Sequence, residues 1–230
     1  ACDELGLLVI DEAFDGWRTA KNPFDYSTLI DSCGVEDVQS MVLRDRNSPS
    51  VIAWSIGNEV IERNELQVIA TARMLKRAIL DMDRTRPVTE AITAWGDEVW
   101  EYFDPHADVL DVVGYNYTIR KHATDHERNP RRIMWQTESF PRDAFRNWAN
   151  TRQFPYIIGD IVWTGLDYLG EAGIGRYYYE GETPGEHYVE GGMPEWRGAY
   201  CGDVDVTGWR KPISHYRDLL CNGRETLYMA

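Results

Sequence analysis

Two glutamates stand where apolar, strand-like segments of the sequence end. Residues 51–59, VIAWSIGNE, pass from an almost wholly apolar stretch into Asn58 and Glu59. Residues 133–140, IMWQTESF, place Glu138 in a comparable position. An apolar run of this kind is typical of a strand buried on both faces, and α/β barrels keep their chemistry at the strand ends. The pattern therefore indicates catalysis by a pair of carboxyl groups.

Such a pair can cleave a glycosidic bond with retention when the carboxyl groups lie about 5 to 5.5 Å apart. One carboxylate attacks the anomeric carbon, while the other protonates the departing oxygen and later deprotonates water. Two further strand-like segments separate those that end in Glu59 and Glu138, so a closed barrel would make the two side chains face each other across its mouth. Either glutamate alone could instead be a helix N-terminal acid favoured by the helix dipole.

Strand-like segments alternate with helical patterns along the chain, which predicts a parallel sheet built from βαβ units. The six strand-like segments are 7–13, 51–57, 87–93, 109–115, 132–138 and 156–163. The helical patterns are 35–46, 64–83, 141–150 and 211–220.

The fold class predicted is α/β, a (β/α)8 TIM barrel. Because a closed barrel needs eight strands, the first and second strands are expected to precede Ala1. Residues 1–230 are interpreted as one partial catalytic domain, cut from a longer polypeptide. The Gly- and Tyr-rich region 170–200 is expected to form an ordered rim, because a loop of that length usually has a function.

Composition limits the classes of partner. A net charge of -14 argues against nucleic acid and anionic membrane surfaces. No apolar stretch reaches the ~18 residues that a membrane span needs. Nine Trp and thirteen Tyr provide flat rings that suit sugar faces as well as cores. The four cysteines form no CxxC pair and predict neither a zinc ribbon nor a disulfide scaffold, which leaves periplasmic, extracellular and cytoplasmic locations open.

Several segments resemble the signature strands of glycoside hydrolase family 2, and the resemblance covers essentially the whole chain. The segments that carry it are PSVIAWSIGNE, MWQTESF, DELGLLVIDEAFDGW, VVGYNY, DIVWTGLDYLGE and GAYCGDVDVTGWRKPISHYRDLL. The last is similar to the closing segment of bacterial β-galactosidases. The chain is thus similar to the catalytic barrel of retaining β-galactosidases, β-glucuronidases and β-mannosidases.

The resemblance assigns roles to matching residues. It implies that Glu59 is the general acid/base and Glu138 the nucleophile. It also implies that Asn58 hydrogen-bonds the sugar 2-hydroxyl, a contact that strengthens in the transition state.

Two aromatic residues complete the implied site. Tyr117 is expected to hold the nucleophile's carboxylate, and Trp163 to form a platform under the sugar ring. Tyr115 or Tyr168 could exchange roles with them.

The predicted activity is hydrolysis of terminal β-galactosides with no cofactor and no metal. β-Glucuronide is the nearest rival substrate, although the sequence shows no compelling cation for its carboxylate, and β-mannoside is another. A non-catalytic carbohydrate-binding barrel and a metal-dependent barrel enzyme such as a sugar isomerase are alternatives from other classes. Full function is expected to need upstream β-sandwich domains, because an open sheet edge is a poor state for a soluble monomer. The sequence leaves a homo-oligomer open.

Other polar pairs favour structural roles. His122 and His126 have the i, i+4 spacing of metal ligands, but no HExxH pattern is present and a solvated helix face is predicted. The cations around them are Arg120, Lys121, Arg128, Arg131 and Arg132.

The sequence allows more than one role for each of four further carboxyl groups. Asp11 and Glu12 end the first strand and could bind substrate, bind a cation or support the barrel mouth. Asp160 and Asp167 flank the tryptophan of the VWTG segment, and one of them could contact a sugar hydroxyl.

Overall fold

The computed structural model describes residues 1–169, 198–225 and 227. The chain divides into two compact units, the first comprising Ala1–Thr137 and Phe154–Gly159 and the second Glu138–Gln153 and Asp160–Ala230. That residues 1–230 form a single domain remains a prediction. Most of the expected rim at 170–200 lies outside the described residues.

Strands and helices alternate through the first two-thirds of the chain. The strands are β1 (Val9–Glu12), β2 (Val51–Asn58), β3 (Val88–Ile92), β4 (Val112–Asn116), β5 (Met134–Ser139), β6 (Ile157–Val162), β7 (Tyr168–Leu169) and β8 (Gly198–Ala199). The α-helices are α1 (Cys2–Leu5), α2 (Ile30–Asp45), α3 (Leu66–Met82), α4 (Asp104–Ala107), α5 (His122–Arg128), α6 (Ala144–Gln153) and α7 (Pro212–Asn222).

All six predicted strands are present and form one sheet in the order β1-β2-β3-β4-β5-β6. Strands β1 to β4 pair in parallel, with Ser55 opposite Glu12 and Thr89 opposite Val112 among the register positions. The sheet order follows the chain order because each helix returns the chain to the same edge. This repeated parallel arrangement is the one predicted for a (β/α) barrel.

The core of the first unit lies between its strands and the helices α2 and α3. Strand β2 is buried along nearly its whole length, as its apolar sequence predicts. Trp54 and Ile56 of that strand join Leu75 and Ile79 of α3 in the largest apolar cluster of the unit. Burial of such side chains stabilises a fold by about 1.5 to 3 kcal/mol each.

Helices α2 and α3 depart from the sequence prediction at their N-terminal ends. Helix α2 begins at Ile30, five residues before the predicted start at Val35, and Ile30 is buried. Leu66 lies in the first turn of α3 but is exposed, so the apolar stripe of that helix begins at Val68.

The prediction of a solvated helix face around His122 and His126 is wrong. His122 is buried with its ring edge-on to Tyr115, and His126 stacks on Tyr156 at 3.7 Å. Sequence spacing could not reveal this, because both aromatic partners come from other elements.

Two of the neighbouring cations, Arg128 and Arg132, form ion pairs. Arg132 is 3% exposed and forms ion pairs with Asp104 and Asp108, while Arg128 pairs with Asp104 and Asp125. Ion pairs of this kind reduce the free-energy penalty of burying a guanidinium group.

Ion pairs hold the described part of the second unit together. Arg217 of α7 pairs with Asp203 and lies 3.9 Å from Asp160 of β6. Asn147 of α6 donates to the same Asp160 at 2.9 Å. Helices α6 and α7 are thereby joined through one carboxyl group.

In residues 1–169, 198–225 and 227 no helix has both the length and the apolar character that crossing a membrane requires.

Candidate active site

Strand β2 carries Asn58 at its last position, and Glu59 follows directly. Glu59 adopts a φ of 45°, which turns the chain sharply out of the strand. Its backbone N–H still donates to Ala91 O of β3 at 2.7 Å. The two predicted polar residues are therefore fixed to the carboxyl end of the parallel sheet, where barrel enzymes keep their catalytic groups.

Asn116 joins the two residues through one amide nitrogen. Its Nδ2 donates to Glu59 Oε1 at 2.9 Å and lies 3.0 Å from Asn58 Oδ1. Thr137 of β5 donates to Asn116 Oδ1 at 2.6 Å, which fixes the orientation of the amide. The side chain of Asn116 is fully buried at the end of β4.

Sequence reasoning missed Asn116 as a site residue. The available signal was a polar residue at the end of the apolar run VVGYN, the same signal that singled out Asn58. Strand ends β2, β4 and β5 thus each supply a polar side chain to one hydrogen-bonded group.

Two charged residues of the loop after β1, Asp15 and Lys21, contact Asn58. Lys21 Nζ donates to Asn58 O at 2.9 Å and to Asp15 Oδ1 at 3.0 Å. Asn58 Nδ2 donates to the same Asp15 oxygen at 3.2 Å. Asp15, Lys21 and Asn58 therefore form a closed triangle of polar contacts beside Glu59.

Burial raises the pKa of the Glu59 carboxyl above its usual value. The hydrogen bond from Asn116 and the positive charges of Lys21 and Arg63 act in the opposite direction, but burial prevails. A carboxyl group with a raised pKa holds its proton at a pH where an ordinary glutamate is ionised. This is the property required of a general acid.

Tyr117 follows strand β4 and is half-buried with a φ of 58°. In the described part of the chain, positive φ at non-glycine residues occurs at Phe24, Glu59 and Tyr117. Two of these are predicted site residues, and strained backbone concentrates at functional sites.

Tyr115, the alternative to Tyr117, is fully buried and donates to Asp125 at 2.7 Å. Burial is the largest cause that raises its pKa, with the charge of Asp125 next. Its hydroxyl is thus committed to the core rather than to a ligand.

The carboxyl groups of Asp11 and Glu12, at the end of β1, interact with neighbouring side chains of the first unit. Glu12 accepts from Ser55 at 2.6 Å, and burial raises its pKa. The Asp11 carboxyl has a pKa raised to about 6 by burial and by its neighbour Asp45. In the described residues no group of three or more His, Cys, Asp or Glu could hold a metal ion.

Glu138 and Trp163 belong to the second unit. Glu138 is half-buried in β5, and its negative charge is one cause that raises the pKa of Tyr168, after burial and Cys201. The rings of Trp163 and Tyr168 meet edge to face with centroids 6.1 Å apart. The structure therefore places Tyr168 near both predicted site residues of this unit.

Asp160 and Asp167, the other candidates beside Trp163, are bound to protein groups. Asp167 is buried, pairs with Lys211 and accepts from Gly202 N–H at 2.7 Å. Asp160 accepts from Asn147, and burial raises its pKa. These contacts are consistent with a structural role for both carboxyl groups.

The model of one protein family matches most of the chain. The family described as "Glycosyl hydrolases family 2, TIM barrel domain" covers residues 1–160. The chain belongs to glycosyl hydrolase family 2. Its fold is accordingly that of the family's TIM barrel domain, and the predicted fold class is confirmed.

Individual members of family 2 are similar to this chain at modest identity. The β-galactosidase BoGH2A of Bacteroides ovatus is 28% identical over 99% of this chain and 33% of its own length. The β-glucuronidase of Mus musculus is 19% identical over 73% of this chain and 31% of its length. The chain spans about a third of the length of these relatives.

A solved family 2 structure gives the same result in three dimensions. A family 2 member from Bacteroides cellulosilyticus superposes with a TM-score of 0.83 and 39% identity, over 95% of this chain and 27% of that one. The family 2 barrel domain described here therefore has a closely similar solved counterpart.

Proposed function

We propose that the protein containing this family 2 barrel domain hydrolyses terminal β-galactosides with retention of configuration. Glu59 acts as general acid/base and Glu138 as nucleophile. The observation that supports the proposal most directly is the carboxyl group of Glu59, half-buried at a strand end with a raised pKa and held by Asn116. The similarity to the Bacteroides ovatus β-galactosidase supports the choice of sugar.

The retaining mechanism requires that Glu59 and Glu138 have opposite protonation states. Glu138 must be ionised to attack the anomeric carbon, while Glu59 must be protonated to release the leaving group. Once the glycosyl-enzyme forms, Glu138 carries no charge and Glu59 becomes the base that activates water. Among residues 1–169, 198–225 and 227 no cation forms an ion pair with Glu59. This suits the cycle, since the group must exchange its proton twice in each turnover.

The remaining predicted residues bind the sugar. Asn58 presents its carboxamide to the 2-hydroxyl, Tyr117 holds the nucleophile, and Trp163 forms the platform under the ring. Asn116 orients both Asn58 and Glu59 and is proposed as a positioning residue.

The test uses the full-length protein. Glu59→Ala should lose activity, and added azide should restore turnover with a β-glycosyl azide as product. Glu138→Gln should abolish turnover, and azide should not return a β-configured product. Glu36→Gln, an exposed glutamate on α2, serves as the matched control and should behave as wild type. An inverted α-product from Glu59→Ala would contradict the retaining mechanism.

The choice of sugar needs a separate measurement. Rates on nitrophenyl β-galactoside, β-glucuronide and β-mannoside should rank the galactoside first. β-Glucuronide is the second candidate because of the similarity to the mouse enzyme. Its carboxylate needs a cation, and the two cations that act on Glu59 already pair with Asp15 and Glu98.

Two other classes of protein make different predictions. A non-catalytic carbohydrate-binding barrel would bind sugars without turnover of any of the three substrates. A metal-dependent barrel enzyme would lose activity with a chelator, whereas the proposed hydrolase should be insensitive to it. Upstream β-sandwich domains are proposed as partners of the barrel.

A further inference from the structure

Trp95 lies in the loop that follows strand β3, at the same edge of the sheet as Glu59. Strands β2 and β3 run parallel, so the loops after Asn58 and Ile92 leave from the same end. The N–H of Glu59 donates to Ala91 O, which ties the acid to the strand that leads into Trp95. Trp95 is 43% exposed, unlike the buried tryptophans of this unit, Trp17, Trp54, Trp100 and Trp135.

A buried arginine holds this exposed ring. The Arg63 guanidinium lies over the Trp95 indole, 4.1 Å from the ring centroid, although its side chain is only 3% exposed. Arg63 also donates to Val60 O at 3.0 Å and to Glu98 Oε2 at 2.5 and 3.2 Å. The same Glu98 oxygen accepts from the backbone N–H of Trp95 at 2.7 Å. Ring and backbone are therefore both clamped by one ion pair.

This arrangement differs from ordinary packing. An apolar ring normally gains free energy by leaving water, and a buried guanidinium is unfavourable unless it is fully paired. Here the charge is buried and the indole stays partly in water. A cation against one ring face fixes the plane of the indole and leaves the rest of its surface available to a ligand.

The acid and the ring are linked through Arg63. Its charge acts on the Glu59 carboxyl, and its hydrogen bond to Val60 holds the residue that follows Glu59. A general acid must lie within hydrogen-bond reach of the oxygen that departs. The leaving group must therefore be bound on the side of the site where Glu59 stands.

We propose that the exposed indole of Trp95 is the binding platform for the leaving-group part of the substrate, a sugar or aryl ring that stacks on it. The inference rests on the proposed function, in which Glu59 protonates the leaving oxygen. Sugar rings present a face of C–H groups, and these pack against flat aromatic surfaces. The alternative is that Trp95 only covers the pair formed by Arg63 and Glu98.

Two substrates of the full-length protein distinguish a binding platform from a structural cover, because they share the galactosyl group and differ in the leaving group. Lactose has a sugar as leaving group, whereas β-galactosyl fluoride has one with no ring to stack. For Trp95→Ala, the ratio of kcat/KM for lactose to that for the fluoride should fall about tenfold, the usual effect of losing one pocket contact. Trp95→Phe keeps a smaller ring and should lose less.

Tyr102→Ala is the matched control, because Tyr102 is an aromatic residue of the same unit that is 72% exposed. Its ratio should equal that of the wild type. Equal losses on both substrates in Trp95→Ala, or an unchanged ratio, would overturn the proposal and support a purely structural role. Trp95→Phe keeps the test valid if Trp95→Ala does not fold.

A binding measurement separates failure of this inference from failure of the proposed function. Calorimetric titration of Glu59→Gln protein with lactose needs no turnover, and adding Trp95→Ala should weaken binding about tenfold. Wild-type protein that cleaves neither substrate would refute the proposed function. Equal affinity with and without Trp95→Ala, or no binding in either, would refute the platform.

Discussion

The side-chain nitrogen of Asn116 donates to Glu59 Oε1 over 2.9 Å, joining the ends of two strands that are not neighbours in the sheet. A hydrogen bond to the carboxylate form stabilises that form, so this contact lowers the pKa that burial raises. It also fixes where the carboxyl group points. Both effects can be measured.

Asn116→Ala should lower kcat/KM about 10- to 100-fold, since a hydrogen bond to a charged group contributes about 1.5 to 3 kcal/mol. The pKa of Glu59 should rise, so the acid stays protonated at higher pH and the alkaline limb of the kcat/KM profile moves upward. The pH profile of the full-length protein measures both. Asn64→Ala, an exposed asparagine before α3, is the matched control, and an alkaline limb that moves downward would contradict the geometry.

Lys21→Met removes a positive charge that acts on Glu59, together with the contacts of Lys21 to Asn58 O and Asp15. The charge of Lys21 lowers the pKa of Glu59, so its removal should move the alkaline limb of kcat/KM to higher pH. Lys76→Met, which breaks the distant ion pair with Asp111, should leave that limb in place. The shift should shrink in high salt, because ions screen partly exposed charges.

The strand ends could be predicted from the sequence because they depend on local signals. An apolar run that stops at Asn58-Glu59 shows both where the strand is and which side chains leave it. The six strands were found in this way, and their first and last residues needed adjustment by at most three positions. Contacts between distant positions gave no such signal, and Asn116 lies 57 residues beyond Glu59.

The prediction for α5 failed for a related reason. Its sequence shows basic residues at helical spacing, which is typical of a solvated face. The aromatic and acidic partners of its side chains come from strand β4, helix α4 and the residue before β6. A charged side chain is buried when such partners are present, and their arrival depends on the fold.

Gly114 of β4 leaves no room for a side chain. A Cβ there would lie 2.4 Å from Glu90 O and 2.8 Å from Thr137 Cγ2. Gly114→Ala should therefore lower the free energy of unfolding by about 1 to 3 kcal/mol, the usual effect of overpacking. Because Thr137 orients Asn116, activity should fall as well. Gly159→Ala is the matched control, since a Cβ there has nothing within 4 Å among the described residues.

Urea unfolding of both glycine variants checks this expectation. A Gly114→Ala protein as stable as Gly159→Ala would show that β4 can move away from its neighbours without loss.

His122 should make the fold sensitive to acid. Burial lowers the pKa of His122 from 6.5 to about 4, and neither ring nitrogen has a hydrogen-bond partner among the described residues. The unfolded chain therefore binds a proton below pH 6.5 that the folded chain refuses until pH falls to about 4. The resulting loss of stability begins as pH drops through 6.5 and reaches about 2 kcal/mol at pH 5.

His122→Phe keeps a flat ring against Tyr115 and removes the titrating group. The free energy of unfolding should then change between pH 7.5 and pH 5 by about 2 kcal/mol less than in the wild type. Urea titrations at the two pH values give this difference, and contributions from the carboxyl groups cancel because both proteins contain them. A variant with the wild-type pH dependence would mean that His122 gains its proton in the folded protein as readily as in the unfolded chain.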